Sequence, residues 1–369
     1  MIRLAAPTFP TGVLDEIRQV LDSGQLIQGR IVEEFEAAVG PHTGARNVIA
    51  VSSGTAALEV GLRSMGVGPG SRVIVPAYSF VASANAVVTV GAEPVFVDVR
   101  EGDLTIDASR VAEAVDRQGV DVIMPVHEFG FPAQIDQIAM HSSLAGIPIL
   151  EDAACALGTD SVPIIGTFGT LWCYSLHPRK VLTSGEGGLI CTNDDSLAAR
   201  LRLLRNHGLS WSDRGLDCVL PGTNARMTEL QAVLALAQTQ RLAAVVQRRR
   251  EIAHRYSERL SVLSITLPPV DMIDSLNWQT YLVRFSSNEA REFAAERLRM
   301  AGIESSVGAQ CIPAMSWYRA RIGASEPSEA FPVSWNAWSR GLALPLHEGM
   351  SDDDVDRVIG VLQRVGVAA

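Results

Sequence analysis

The sequence predicts an α/β protein: a large domain whose mixed, mostly parallel sheet lies between helices, followed by a smaller C-terminal α/β domain. Three observations predict it. Short apolar runs alternate with helical patterns between residues 47 and 192, as in βαβ units. The chain has 369 residues, too many for one small core. Beyond Leu263 the pattern changes and a second, shorter set of strand and helix signals begins. The boundary falls inside a long helix near residue 240, giving a large domain over 1–240 and a small C-terminal domain over 241–369.

In chain order, Val13, Ile17, Val20 and Leu21 recur at helical spacing, and Asp22–Ser23–Gly24 ends that helix. A second helix carries Val32, Phe35 and Val39 on one face. Asn47–Val51 is a short buried strand that runs into Ser52–Ser53–Gly54–Thr55–Ala56, the start of a helix reaching Met65. Strands follow at Arg72–Pro76, Glu93–Val99, Asp121–Val126 and Ile147–Asp152, with helices at Phe80–Val90 and near Gln134–Leu144. Leu189–Thr192 is a further strand. Asp195–Arg205 is an amphipathic helix stopped at Gly208. Leu209–Thr223, rich in Gly, Ser, Trp and Asp, reads as a loop. Thr228–Gln231 fits a capping box for a long helix, and a second helical stretch covers Val246–Leu260. Asn277–Phe285 alternates like a strand, Ser287–Gly302 is a helix, and Ser351–Asp354 caps a last helix to Val365.

Composition narrows the function. Net charge is −10, which argues against nucleic acid or an anionic membrane as partner. The run Gln247–Arg250 is read as a solvated helix face. Cys155, Cys173, Cys191, Cys218 and Cys311 form no CxxC pair, which suits free thiols in a reducing cytoplasm rather than a metal site or disulfide framework. No signal peptide and no stretch long enough to span a membrane is read from the sequence.

Of 31 basic residues, 30 are Arg and one, Lys180, is Lys. Arg is a poor nucleophile, whereas a desolvated Lys can attack a carbonyl to form a Schiff base. Lys180 follows Tyr174–Ser175 and precedes the Gly-rich Ser184–Gly188. In open α/β sheets, ligands gather at the carboxyl ends of strands. Three candidates fall there: Ser53–Gly54–Thr55 at a helix N-terminus, Asp152, and the Ser175–Lys180 loop. The helix N-terminus reads either as a phosphate cradle or as an ordinary cap. Asp152 alone could be a turn residue, and Phe80 alone a core residue. An amine, a buried carboxylate, an aromatic plate and a phosphate cradle together suit pyridoxal 5′-phosphate.

The same stretches resemble the DegT/DnrJ/EryC1/StrS family of pyridoxal phosphate-dependent sugar aminotransferases, a fold-type I group. The resemblance covers nearly the whole chain. It is carried by Gly29–Glu36, Ser52–Leu58, Pro76–Asn85, Glu151–Ala154, Tyr174–Gly188, Arg205–Gly208, Asn224–Gln231 and Leu344–Met350. It implies that Lys180 forms the internal aldimine and that Asp152 pairs with the pyridine nitrogen. Ser175 and the N–H groups of Gly54, Thr55 and Ala56 would hold the phosphate. Phe80 would stack on the ring, and Asn224 would reach the cofactor of the other subunit in a homodimer. The family's usual Gln or His near the cofactor's 3-hydroxyl is Cys155 here. A His-Pro-like stretch of the sugar-nucleotide pocket is Gln310–Pro313. The implied reaction moves an amino group from an amino acid, L-glutamate by analogy, to a nucleotide-linked keto-deoxysugar. The alternatives are an inosose or aminoshikimate-type ring ketone, a sugar dehydratase, and a regulator that binds the cofactor without catalysis. Lys180 argues against the dehydratase, whose relatives carry His there.

Overall fold

The computed structural model describes residues 1–161, 164–322 and 326–366. Among the described residues, seven strands build the large sheet: β1 Asn47–Val51, β2 Arg72–Pro76, β3 Glu93–Val97, β4 Val122–Ile123, β5 Leu150–Asp152, β6 Leu171–Ser175 and β7 Gly188–Thr192. Their spatial order is β1-β7-β6-β5-β4-β2-β3. The β4–β5 edge is joined by the parallel bridges Ile123 to Ile149 and Val126 to Asp152. All strands point one way except β7, which is antiparallel to both β1 and β6. The expected mixed, mostly parallel sheet is therefore present.

Alternation along a strand sends side chains to opposite faces. On β6, Leu171 and Cys173 join a core with Ala57, Leu58, Val87 and Ile190. Trp172 and Tyr174 join the other, with Phe35, Val39, Leu189 and Val246. Both faces are covered by helices, as a parallel sheet requires.

Sequence-matched residues tie the edges down. The Arg205 guanidinium donates to Glu36 Oε1 and to the Ala50 carbonyl, both at 2.7 Å, and so pins β1. The Glu229 carboxylate accepts the N–H groups of Gly29, Ile31 and Val32 at 2.9 to 3.1 Å, closing the start of the helix Arg30–Val39. Thr228 and Gln231 form the expected capping box of the helix Glu229–Thr239. A second helix, Leu242–Leu260, follows at once.

The C-terminal part pairs β8 Tyr281–Arg284 with β9 Gly341–Leu344, antiparallel. The helices Leu242–Leu260, Asn288–Met300 and Asp352–Gly366 pack beside this pair, around Trp278, Tyr281, Val355 and Ile359. Tyr78, Phe129 and Phe131 reach into this core from the large sheet. Gln310–Cys311 pairs with Tyr78–Ser79, so a C-terminal segment borders the end of β2.

Several elements differ from the sequence reading. Leu209–Thr223 is not simply a loop: Leu209–Ser212 and Gly215–Cys218 form a hairpin that turns at Asp213–Arg214, with Gly215 leaving the turn at φ +102°. The strand expected over Asn277–Phe285 is confined to Tyr281–Arg284, because Trp278 sits at φ 47° and turns the chain. The strand expected at Asp121–Val126 is only Val122–Ile123. A helix at Ala108–Gln118, capped by Asp107, and the helices between Ser316 and Arg340 were not anticipated. No helix among the described residues is long and apolar enough to cross a membrane.

Candidate functional site at the carboxyl ends of the strands

Strand direction brings the sequence candidates together. Val51 ends β1, Asp152 ends β5 and Ser175 ends β6. Gly188, the first residue of β7, pairs with both Val51 and Ser175. A Cβ there would lie 2.4 Å from the Ser53 carbonyl oxygen and 2.9 Å from the Gly54 nitrogen, so only glycine permits this approach. Gly54 presses on β6 in turn: a Cβ on it would lie 2.7 Å from Ser175 Cβ.

The helix Gly54–Ser64 begins against this contact. Ser53 is its N-cap, and the Ser53 hydroxyl accepts the Ala56 N–H at 3.0 Å. The Ala56 donor is thus engaged by the cap. The N–H groups of Gly54 and Thr55 have no partner among the described residues. With the half-buried Ser175 hydroxyl beside them, they form a concave donor set at a helix N-terminus.

Lys180 stands on the loop between β6 and β7. The loop is closed by Leu176 N–H to the Gly187 carbonyl, by Ser184 N–H to the Leu176 carbonyl and by the Thr183 hydroxyl to the same carbonyl. Lys180 N–H donates to the His177 carbonyl at 2.8 Å. The amine is half-buried, and Nζ lies 3.0 Å from Cys155 Sγ. Asn277 fixes the Cys155 turn by donating to the Cys155 and Leu157 carbonyls at 2.8 and 2.9 Å.

Asp152 is 3% exposed. Its Oδ2 accepts the Ser83 hydroxyl at 2.8 Å and its Oδ1 the Ala154 N–H at 3.1 Å. Burial pushes this carboxyl above its ordinary range, while Ser83, Ala154, Lys180 and His127 oppose the shift. Burial also raises the Cys155 thiol against the pull of Lys180, and Glu128 adds to the rise.

Phe80 and Asn224 lie at the surface of the chain. Phe80 is 61% exposed, directly after Tyr78–Ser79. Asn224 is exposed beyond the carboxyl end of β1, bridged to Asn206, while the next residue accepts Ser52 N–H at 2.9 Å. Its side chain has no hydrogen-bond partner among the described residues.

The sequence reading missed Ser79, Ser83 and Glu128. Ser79 and Ser83 hydroxyls lie 3.3 Å apart, so the Asp152 contact continues to Ser79. Glu128 is 3% exposed and acidic, just past an apolar strand. That is the signal that singled out Asp152, and it went unused.

The comparisons with known proteins agree on one family. The model of the DegT/DnrJ/EryC1/StrS aminotransferase family matches residues 11–363. The chain is 34% identical to GDP-perosamine synthase of Caulobacter vibrioides over 99% of this chain and 98% of that one. The structure superposes on the aminotransferase TlmJ of Streptoalloteichus hindustanus with a TM-score of 0.91 and 32% identity, covering 100% and 99% of the two chains. It also superposes on the pyridoxal phosphate form of a sugar aminotransferase, Spr1654 of Streptococcus pneumoniae, with a TM-score of 0.91 and 27% identity over 99% and 98%. On a family match spanning almost its entire length, the chain belongs to the DegT/DnrJ/EryC1/StrS aminotransferase family.

Proposed function

We propose that this aminotransferase carries an amino group from L-glutamate to the keto group of a sugar, a nucleotide-linked keto-deoxysugar, with pyridoxal 5′-phosphate as cofactor. The reading is carried by one observation: the chain's single lysine lies at the carboxyl end of the sheet, within the same cluster as a buried aspartate and a glycine-serine cradle. It is supported by relatives named for GDP-perosamine synthesis and sugar amination.

The residues present suit the cofactor. Gly54 lets the N-terminus of its helix close on Ser175, where a Cβ would lie 2.7 Å from Ser175 Cβ, and that terminus carries two unengaged N–H donors. Those donors and the Ser175 hydroxyl would hold the phosphate. The Lys180 amine would hold the cofactor covalently. Asp152, buried and steadied by Ser83 and Ala154, would keep the positive charge on the ring nitrogen. The exposed face of Phe80 would cover the ring, beside Cys155. When bound, the cofactor supplies an electron sink for the carbon that loses its proton. The chain's own task is then proton handling: Lys180 takes a proton at Nζ from the substrate carbon and returns it, with Asp152 holding the compensating charge nearby.

The enzyme works as a homodimer, with Asn224 serving the partner's site, and divides near residue 240 into a large and a small domain. It acts in the cytoplasm. Replacing Lys180 with Ala or Arg tests the reading. Both variants should lose the visible absorbance of the cofactor-loaded enzyme and the conversion of L-glutamate to 2-oxoglutarate in a single half-reaction. Turnover persisting in either variant sinks it. A panel of keto acceptors then separates nucleotide-linked sugars from inosose or aminoshikimate-type ketones.

A further inference from the structure

Two carboxyls, not one, lie near the Lys180 amine. Glu128 opens the short turn Glu128–Gly130, just past the bridge between Val126 and Asp152. The chain reverses sharply there, with Phe129 at φ 57°. Gly130 is drawn in close: a Cβ on it would lie 2.2 Å from Asn277 Oδ1 and 3.4 Å from the Cys155 carbonyl oxygen. The Glu128 side chain is thereby packed inside the site and 3% exposed.

The hydrogen-bond inventories of the two carboxyls differ. Asp152 has a donor on each oxygen. Glu128 Oε2 is fully buried and has no partner among the described residues. Ser79 is the one hydroxyl set against this carboxyl; a buried carboxylate oxygen without a donor is costly, and a proton on Oε2 relieves that cost. The surroundings are fixed by four segments. Ser79 and Tyr78 face Glu128 from beyond β2, Asp152 from β5, Cys155 from the following turn, and Lys180 from the β6–β7 loop. Its neighbour His127 is committed elsewhere, to Glu151 at 2.8 Å and to Ala133 N–H at 3.0 Å.

We propose, building on the aminotransferase reading above, that Glu128 is a further positioning residue: protonated, it leaves Asp152 as the single buried anion near Lys180; ionised, it adds a second anion that holds the Lys180 amine as ammonium and prevents Nζ from accepting the substrate proton. The protons exchanged are those of solvent. Burial, reinforced by the Asp152 charge and opposed by Ser79 and Lys180, pushes the Glu128 carboxyl up to about 7, so the switch lies in the working range.

The test uses the cofactor-loaded enzyme and the variant E128Q, whose amide has the shape of the protonated acid. Two quantities are followed against pH: the single-turnover rate with L-glutamate, and the visible absorbance of the resting enzyme without substrate. In the native enzyme both should report an ionisation at about 7, the rate falling as pH rises through it. In E128Q that ionisation should vanish from both. An unchanged midpoint in the variant overturns the proposal. Infrared spectra of the native enzyme supply a measurement that needs no variant: a protonated-carboxyl band should disappear with the same midpoint, and its absence at the acidic end also overturns the proposal. If no amino donor reacts, the aminotransferase reading fails, while the absorbance and infrared titrations still decide the role of Glu128.

Discussion

Lys180 Nζ lies 3.0 Å from Cys155 Sγ, the one side-chain hydrogen bond of this amine among the described residues. A thiol is a weak partner, so the amine is held loosely and is easily freed for covalent work. Cys155 is itself kept as thiol by burial, in spite of the positive charge beside it.

Alkylation therefore discriminates among the cysteines. Iodoacetamide reacts with thiolate, and Cys218 is exposed whereas Cys155 is largely enclosed. At neutral pH, Cys218 should be modified first, with Cys155 slower by on the order of tenfold. Peptide mass spectrometry over a time course checks the order; equal rates would contradict the burial argument.

Asp152→Asn keeps the shape and removes the charge. Its amide oxygen can still accept the Ala154 N–H, while its NH2 faces the Ser83 hydroxyl, which can turn to accept. Folding should be little affected, while the half-reaction rate should fall on the order of 10²–10³-fold, the usual scale for a lost electrostatic group. Stopped-flow absorbance with L-glutamate measures it, and thermal unfolding of the variant separates chemistry from stability.

Gly54→Ala places a methyl 2.7 Å from Ser175 Cβ and 2.9 Å from Ser175 Oγ. The backbone there must move, at a cost of about 1–3 kcal/mol. Cofactor affinity should weaken by about tenfold or more, since the cradle and the clash share the same atoms. Titration of the cofactor-free variant with pyridoxal 5′-phosphate gives the affinity directly.

Glu128 also marks the stability profile. Its carboxyl ionises at about 7 when folded, against an ordinary value of 4.5. Between these two values the unfolded chain has released a proton that the folded chain still holds, so stability falls as pH rises through that window. The full difference is roughly 3 kcal/mol. Urea unfolding at acidic and alkaline ends of the window should show the native protein losing more stability than E128Q.

Much of this site was legible because its signals are local. Ser53 before Gly54, Asp152 at the end of an apolar run, and a lone amine among guanidiniums each follow from residue type and position. The reversal of β7 was not legible, because an apolar run such as Leu189–Thr192 reads the same in either direction. The hairpin Leu209–Cys218 escaped because its strands are four residues long and largely exposed, so no buried face imposes alternation. Trp278 at φ 47° defeated the strand pattern ahead of Tyr281, since a bulky residue rarely takes that conformation. Glu128 carries the same local signal as Asp152, an acid just past an apolar strand, but its sequence neighbours do not show that its Oε2 is left without a partner; the turn at Phe129 and the packing of Gly130 do.

The pairing of β1 with β7 sets when the site can come into being. Asn47–Val51 pairs along its whole length with Gly188–Thr192, far along the chain. During synthesis β1 has to wait as an open edge until that stretch emerges, a slow, entropically costly closure. Gly188, which seats the Ser53–Gly54 turn against Ser175, arrives in the same stretch. Cofactor capture is therefore a late event that seals an assembled sheet and cannot act as its nucleus. A chain interrupted before Gly188 exposes an apolar edge, the kind of surface on which aggregates start.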